Sequence, residues 1–218
     1  MSVPAMDVAV VTGGHPFDES GFADLLRALR ADGIHAHLQD LADFVQAPTE
    51  VRRAYRAVLF YFFPQADPDP LTAAALADLL STGQGVVVLH HALLAYPGWA
   101  VWDAVVGAGG SGTFTYHPGR RLAVAVAAPA HAITTGARGW EMTDETYGMA
   151  FSEGASASTP LLVTDHPESM RCIGWARRCG SSRVVCLQSG HDAGAWAMAG
   201  FQRVLARGIV WSAGDDVG

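Results

Sequence analysis

The chain is 218 residues long, 50% hydrophobic and 16% charged, with a net charge of −7. That length and apolar content suit a single α/β domain over residues 1–218 with one buried core, and exclude a disordered chain. The acidic balance, with its few basic pairs scattered as Arg120-Arg121 and Arg177-Arg178, excludes nucleic acid or an anionic membrane as the main partner.

In chain order, Asp7–Thr12 reads as a buried strand and Gly13-Gly14-His15-Pro16-Phe17 as a tight turn. Asp18 or Ser20 caps a helix carrying Phe22, Leu25, Leu26 and Leu29 at helical spacing, and Gly33 closes it. His35–Leu38 is a second strand, followed by a short helix. Arg56–Phe63 is a third strand, stopped by Pro64. Asp69-Pro70 supplies the cap and first position of a helix over Leu71–Leu80, ended by Gly83. Val86–Leu89 is a fourth strand, buried on both faces, and it runs straight into His90-His91. Strands alternating with helices predict a mostly parallel sheet covered on both faces.

The second half has a different texture. Gly107–Gly112 is glycine-rich, Thr113–His117 is a short extended piece, and Arg121–Val126 and Pro160–Thr164 are strands. Arg171–Ala176 and Arg183–Leu187 flank Cys179-Gly180-Ser181-Ser182 as a hairpin. A final helix is expected from about Ala195 to Trp211. Thr143-Asp144-Glu145-Thr146-Tyr147 reads as a polar loop. No apolar run approaches the roughly 20 residues that cross a bilayer. The first residues lack a basic region and an apolar segment, which points to the cytoplasm. Cys172, Cys179 and Cys186 are odd in number, contain no Cys-x-x-Cys, and read as reduced thiols.

The chemistry collects where strands end. His15 follows the first strand, His90 and His91 the fourth, and His191-Asp192 the hairpin. The parallel connectivity brings these imidazoles to one rim, within reach of His117 and Glu145. Gly14 lets backbone approach a ligand, and Asp192 would orient His191. His35, His37, His131 and His166 read as ordinary surface or core residues. Two chemistries suit the rim. A divalent metal such as Zn²⁺ would take His15, His91 and His191, although no compact ligand spacing appears. Metal-free acid–base work on a carbohydrate would use His90, His91, His191 and Glu145, with Trp99, Tyr147 and Trp196 as apolar platforms. No cysteine stands at a strand-to-helix elbow, and neither Gly-x-Ser-x-Gly nor a phosphate-binding loop is present.

Taken together, Gly13-Gly14-His15, Val88-Leu89-His90-His91-Ala92 with Trp99, Asp144-Glu145-x-Tyr147, Gly190-His191-Asp192 with Trp196, and Ile209-Val210-Trp211-Ser212-Ala213-Gly214 resemble the ThuA-like (trehalose-utilisation) family in order along nearly the whole chain. The resemblance implies a class I glutamine amidotransferase-like fold, a flavodoxin-like three-layer sandwich. It also implies a role in the metabolism of trehalose or related disaccharides, on oxidised (keto) sugars. The elbow that holds a cysteine in amidotransferases holds His90 here, so amidotransfer is not carried over. Pro16-Phe17-Asp18-Glu19 stands where relatives carry a second histidine, so a metal set relying on that residue would be incomplete. The expectation is a cytoplasmic enzyme (hydrolase, lyase or isomerase) for a small sugar substrate, with room for a homo-oligomer. Its rival is a catalytically inactive sugar-binding or regulatory module on the same shell.

Overall fold

The computed structural model describes residues 5–108, 114–150 and 158–215. The first part runs β1 (Met6–Gly13), α1 (Glu19–Leu29), β2 (Ile34–Asp40), α2 (Leu41–Gln46), α3 (Thr49–Ala54), β3 (Ala57–Phe62), α4 (Pro70–Thr82) and β4 (Gly85–Leu89). The second runs α5 (Ala100–Val106), β5 (Thr115–Val126), β6 (Trp140–Gly148), β7 (Thr159–Val163), β8 (Cys172–Cys179), β9 (Ser182–Leu187), α6 (Ala193–Trp196) and α7 (Ala199–Ser212). The strands form one nine-stranded sheet in the order β2-β1-β3-β4-β9-β8-β7-β5-β6.

Local signals explain the first half. Asp18 caps α1 through the Gly21 amide, and Gly33 ends the following 3₁₀ turn in the left-handed conformation. Asp69 accepts from the Leu71 and Thr72 amides, with Pro70 as the first helical residue of α4. Every residue of β3 and β4 is buried. Their side chains alternate between two helical layers. Phe60 and Phe62 meet Trp102 of α5, and Phe44 of α2 packs on Phe60. Tyr61, on the opposite face, stacks on Phe22 of α1 at 4.6 Å and meets Trp196 of α6.

The expected mostly parallel sheet is corrected to a mixed one. Among the described residues, β2-β1-β3-β4-β9 pair in parallel, while β9-β8-β7-β5-β6 pair antiparallel. The second half makes short reversals in place of helical crossovers. Cys179 pairs with Ser182 across a two-residue turn, and such a connection permits only antiparallel neighbours.

Three further corrections concern elements. The polar run Thr143–Tyr147 is the body of β6, held by a long ladder to β5, because pairing overrides a composition without an apolar pattern. The two extended pieces expected before and after Pro118-Gly119 are one strand with an irregularity between His117 and Arg120. The last helix is broken in two, since Met198 is extended (φ −77°, ψ 120°) and starts α7 afresh. Helix α5, closed by left-handed Gly107, was not expected. Gly109–Gly112 and Thr113 lie outside the described residues. The ribbon of β5 and β6 hangs from the rest of the sheet by the pairs Ala125–Val163 and Val126–Leu162.

Candidate functional site

The ends of the parallel strands carry the polar cluster. Leu89 of β4 pairs with Leu187 of β9, so His90-His91 and the segment Gln188–His191 leave the sheet side by side. His90 turns the corner with φ +53°, a left-handed conformation that costs an ordinary side chain about 1–2 kcal/mol. Its imidazole is fully buried. Nδ1 lies 2.7 Å from the Gln188 carbonyl oxygen, which can only accept, so Nδ1 carries a proton and Nε2 faces the neighbouring segments.

Three groups from other segments converge on that nitrogen. The Tyr147 hydroxyl lies 2.8 Å from it, His191 Nδ1 3.1 Å and Glu145 Oε2 3.4 Å. Glu145 also lies 3.7 Å from His191 Nδ1. Burial, then the neighbouring Glu145, pushes the Tyr147 phenol well above its usual range, so it stays a donor. Burial acts to raise Glu145 too, but the contact with His90, with help from Tyr147 and His191, outweighs it and holds the carboxyl below its usual range.

A second carboxylate sets the backbone. Asp144, 2% exposed, accepts the amides of Gly190 at 2.8 Å, His191 at 3.0 Å and Glu145 at 2.9 Å. Burial raises its carboxyl against the pull of His90 and those three amides. The Tyr61 hydroxyl donates to the His191 carbonyl at 3.1 Å and the Trp196 indole to the Gly190 carbonyl at 2.8 Å. Residues 190–191 are thus pinned from both faces.

Beside this cluster, His15 stacks on His91 with centroids 4.8 Å apart, and Tyr61 lies 4.2 Å from the His91 ring. His91 is 3% exposed, yet neither of its ring nitrogens, nor Nδ1 of His15, has a hydrogen-bond partner among the described residues. Burial, followed by the His90 and His15 rings, pulls the His91 imidazole down to about 2, offset only in part by an approach of the Tyr61 backbone that falls short of a hydrogen bond. It is therefore neutral near pH 7, with one donor and one acceptor to offer a ligand or water.

The expected residues divide accordingly. His15, His90, His91, His191, Glu145 and Tyr147 come together. Asp192 spends its carboxylate on the Gly194 amide as the cap of α6. Trp196 is buried behind the cluster, and Trp99 packs on Tyr96 at the start of α5. His117 faces Glu168 at 3.5 Å, which also pairs with Arg120. Gly14 is held close by the Phe63 backbone. A Cβ there would stand 2.7 Å from the Phe63 carbonyl oxygen, at φ +77°. His37 pairs with Asp7, while His131 and His166 accept nearby backbone amides.

Among the described residues, the side chains able to share a metal ion are His90, Glu145 and His191, whose ligand atoms all lie within 4.8 Å of one another. The expected trio of His15, His91 and His191 contributes His191 alone to that group. Two imidazoles and a carboxylate suit Zn²⁺, and the Nδ1–H to carbonyl bond of His90 is the outer support that metal-bound imidazoles use. Sequence reasoning missed Asp144 as the clamp, Gln188 as the anchor of His90, and Tyr61. A glutamine directly after β9 and a lone phenol inside an apolar run were the available signals.

A family model described as trehalose utilisation (ThuA) matches residues 7–212. Among solved structures, the chain is similar to a ThuA-like protein of Parabacteroides merdae at TM-score 0.79 and 16% identity, covering 98% of this chain and 92% of that one. A ThuA-like protein of Bacteroides uniformis matches at TM-score 0.77 and 16% identity, covering 99% and 94%. A Salmonella typhimurium protein described as cytoplasmic matches at TM-score 0.69 and 9% identity, covering 94% and 98%. At these identities the structures speak for the fold. Nothing among curated proteins matches.

Proposed function

The chain belongs to the ThuA, or trehalose-utilisation, family, and on that footing we propose that it is an enzyme acting on an oxidised derivative of trehalose or a related disaccharide. The observation that carries this reading is the convergence of Tyr147, His191 and Glu145 on His90 Nε2 within 3.4 Å. A keto group acidifies the hydrogen on its neighbouring carbon, and moving that proton needs a base, an acid and a donor to the oxygen. Glu145, held ionised and partly open to solvent, supplies the base. His191, also partly exposed, supplies the acid. The unpartnered nitrogens of His91 and His15 grip substrate oxygens, and the Tyr147 phenol keeps His90 in place.

In the alternative chemistry His90, Glu145 and His191 would instead hold a divalent cation such as Zn²⁺, which would polarise a carbonyl or a water molecule in place of the proton transfers by Glu145 and His191. The amidotransferase-like shell is retained in this reading without its chemistry, since the elbow residue is an imidazole. Among the described residues no helix is long and apolar enough to cross a membrane, and we take the enzyme to work in the cytoplasm.

The test is a screen of keto-sugars against the purified protein and its His90→Asn, Glu145→Gln and His191→Ala variants, with elemental analysis of protein never exposed to chelator. Turnover by the wild type that falls at least about 100-fold in each variant is expected. Equal turnover in all four would overturn the assignment. Sugar binding without any turnover would instead mark a binding module.

A further inference from the structure

The tryptophans nearest the cluster are buried or turned away from it, yet two aromatic rings beside it are not. Phe114 and Tyr116, at the start of β5, are 36% and 62% exposed. Tyr116 pairs with Tyr147 across the β5–β6 ladder, and residues opposed in an antiparallel pair share a face. The rings touch one after another. His90 lies 4.9 Å from Tyr147, Tyr147 meets Phe114 edge-on at 6.2 Å, and Phe114 lies 6.4 Å from Tyr116. The series begins at a buried imidazole and ends in solvent.

Burial in the core does not account for the outer two rings. A sugar ring has an apolar face of C–H groups and a rim of hydroxyls, so an exposed aromatic surface beside polar groups is suited to hold one. We propose that Phe114 and Tyr116 form a second sugar subsite, stacking the ring of a disaccharide that does not undergo reaction. This rests on the sugar-site reading of the His90 cluster. A monosaccharide held at the cluster leaves both outer rings bare, whereas a second linked ring lies along them. The substrate class is therefore a disaccharide or an aryl glycoside rather than a free monosaccharide.

The experiment measures binding of trehalose and of glucose by saturation-transfer NMR, and turnover of their keto derivatives, for the full chain and for Phe114→Ala, Tyr116→Ala, Tyr116→Phe and His90→Asn. Thermal melts check that the exposed-site variants stay folded. Each alanine variant is expected to raise KM for the disaccharide about five- to tenfold, with kcat and the monosaccharide values held, and Tyr116→Phe to restore it. If both alanine variants keep the disaccharide-to-monosaccharide preference within about twofold of wild type while His90→Asn abolishes turnover, the subsite is refuted and the cluster stands. If His90→Asn is as active as wild type, or the wild type neither binds nor converts either sugar, the underlying reading falls and the subsite with it.

Discussion

Replacing Asp144 by alanine tests how the two ends of the site are joined. The substitution leaves the Gly190 and His191 amides without the acceptor they now share at 2.8 and 3.0 Å. A stranded amide donor costs about 1–3 kcal/mol, and bonds to a charged acceptor lie at the upper end. Loss of a carboxylate whose burial is itself unfavourable returns part of this. The net expectation is about 2–4 kcal/mol, or about 5–15 °C in Tm for a chain of this length. Asp144→Asn keeps one acceptor oxygen but turns an NH₂ toward the other amide, so it falls between wild type and alanine. Tyr61 and Trp196 still hold residues 190–191, so both variants fold. Guanidinium unfolding and keto-sugar turnover are the assays. A loss below about 1 kcal/mol for alanine, with turnover intact, would refute the clamp.

His91 carries two buried unpartnered nitrogens, so His91→Phe should leave stability within about 1 kcal/mol of wild type, or raise it, while sugar affinity drops. Urea unfolding beside ligand titration decides it, and a large destabilisation would mean that those nitrogens are satisfied in the folded protein. In acid, Asp69 is held below its usual range by its bonds to Thr72, and Asp78 by Arg53. Carboxyls depressed in the folded state stabilise it above their unfolded pKa, and that contribution is lost as pH falls through the folded value. Stability should therefore drop below about pH 4, and less steeply in Asp69→Asn and Asp78→Asn, as read by melts across pH. Burial pushes the Cys172 thiol up to about 11 and raises Cys179 and Cys186 as well. The native protein should react slowly with a thiol reagent at pH 7.5 and yield three equivalents once unfolded; fast native labelling would contradict this.

The parallel half was legible because apolar strands, Asp69-Pro70 and the closing glycines each carry a local reason for their conformation. The far half was less so. The centre of strand β6 is Thr143-Asp144-Glu145-Thr146, and its ladder to β5 makes it a strand. The break at Met198 interrupts a run whose apolar spacing continues on either side. At the site, His90 and His191 stood out because polar residues at strand ends need a reason to be there, while Glu145 and Tyr147 were read as part of a loop within reach of that rim and as part of the family resemblance. Asp144 and Gln188 did not, since their roles rest on contacts with residues 46 and 98 positions away. Asp192 shows the opposite error. Its adjacency to His191 suggested a partner, whereas its nearest duty was to the first turn of α6.

The two-pair junction between β5 and β7 has a consequence for how such a scaffold diversifies. Glu145, Tyr147, Phe114 and Tyr116 travel with the ribbon, while His15, His90, His91 and His191 travel with the main sheet. Because Asp144 of the same ribbon holds the Gly190 and His191 amides, and Leu122, Val124, Met142 and Tyr147 are buried, re-angling that hairpin would shift the two sets only by giving up those contacts. The two sets of side chains are therefore bound to change together, each limited by the clamp that joins them.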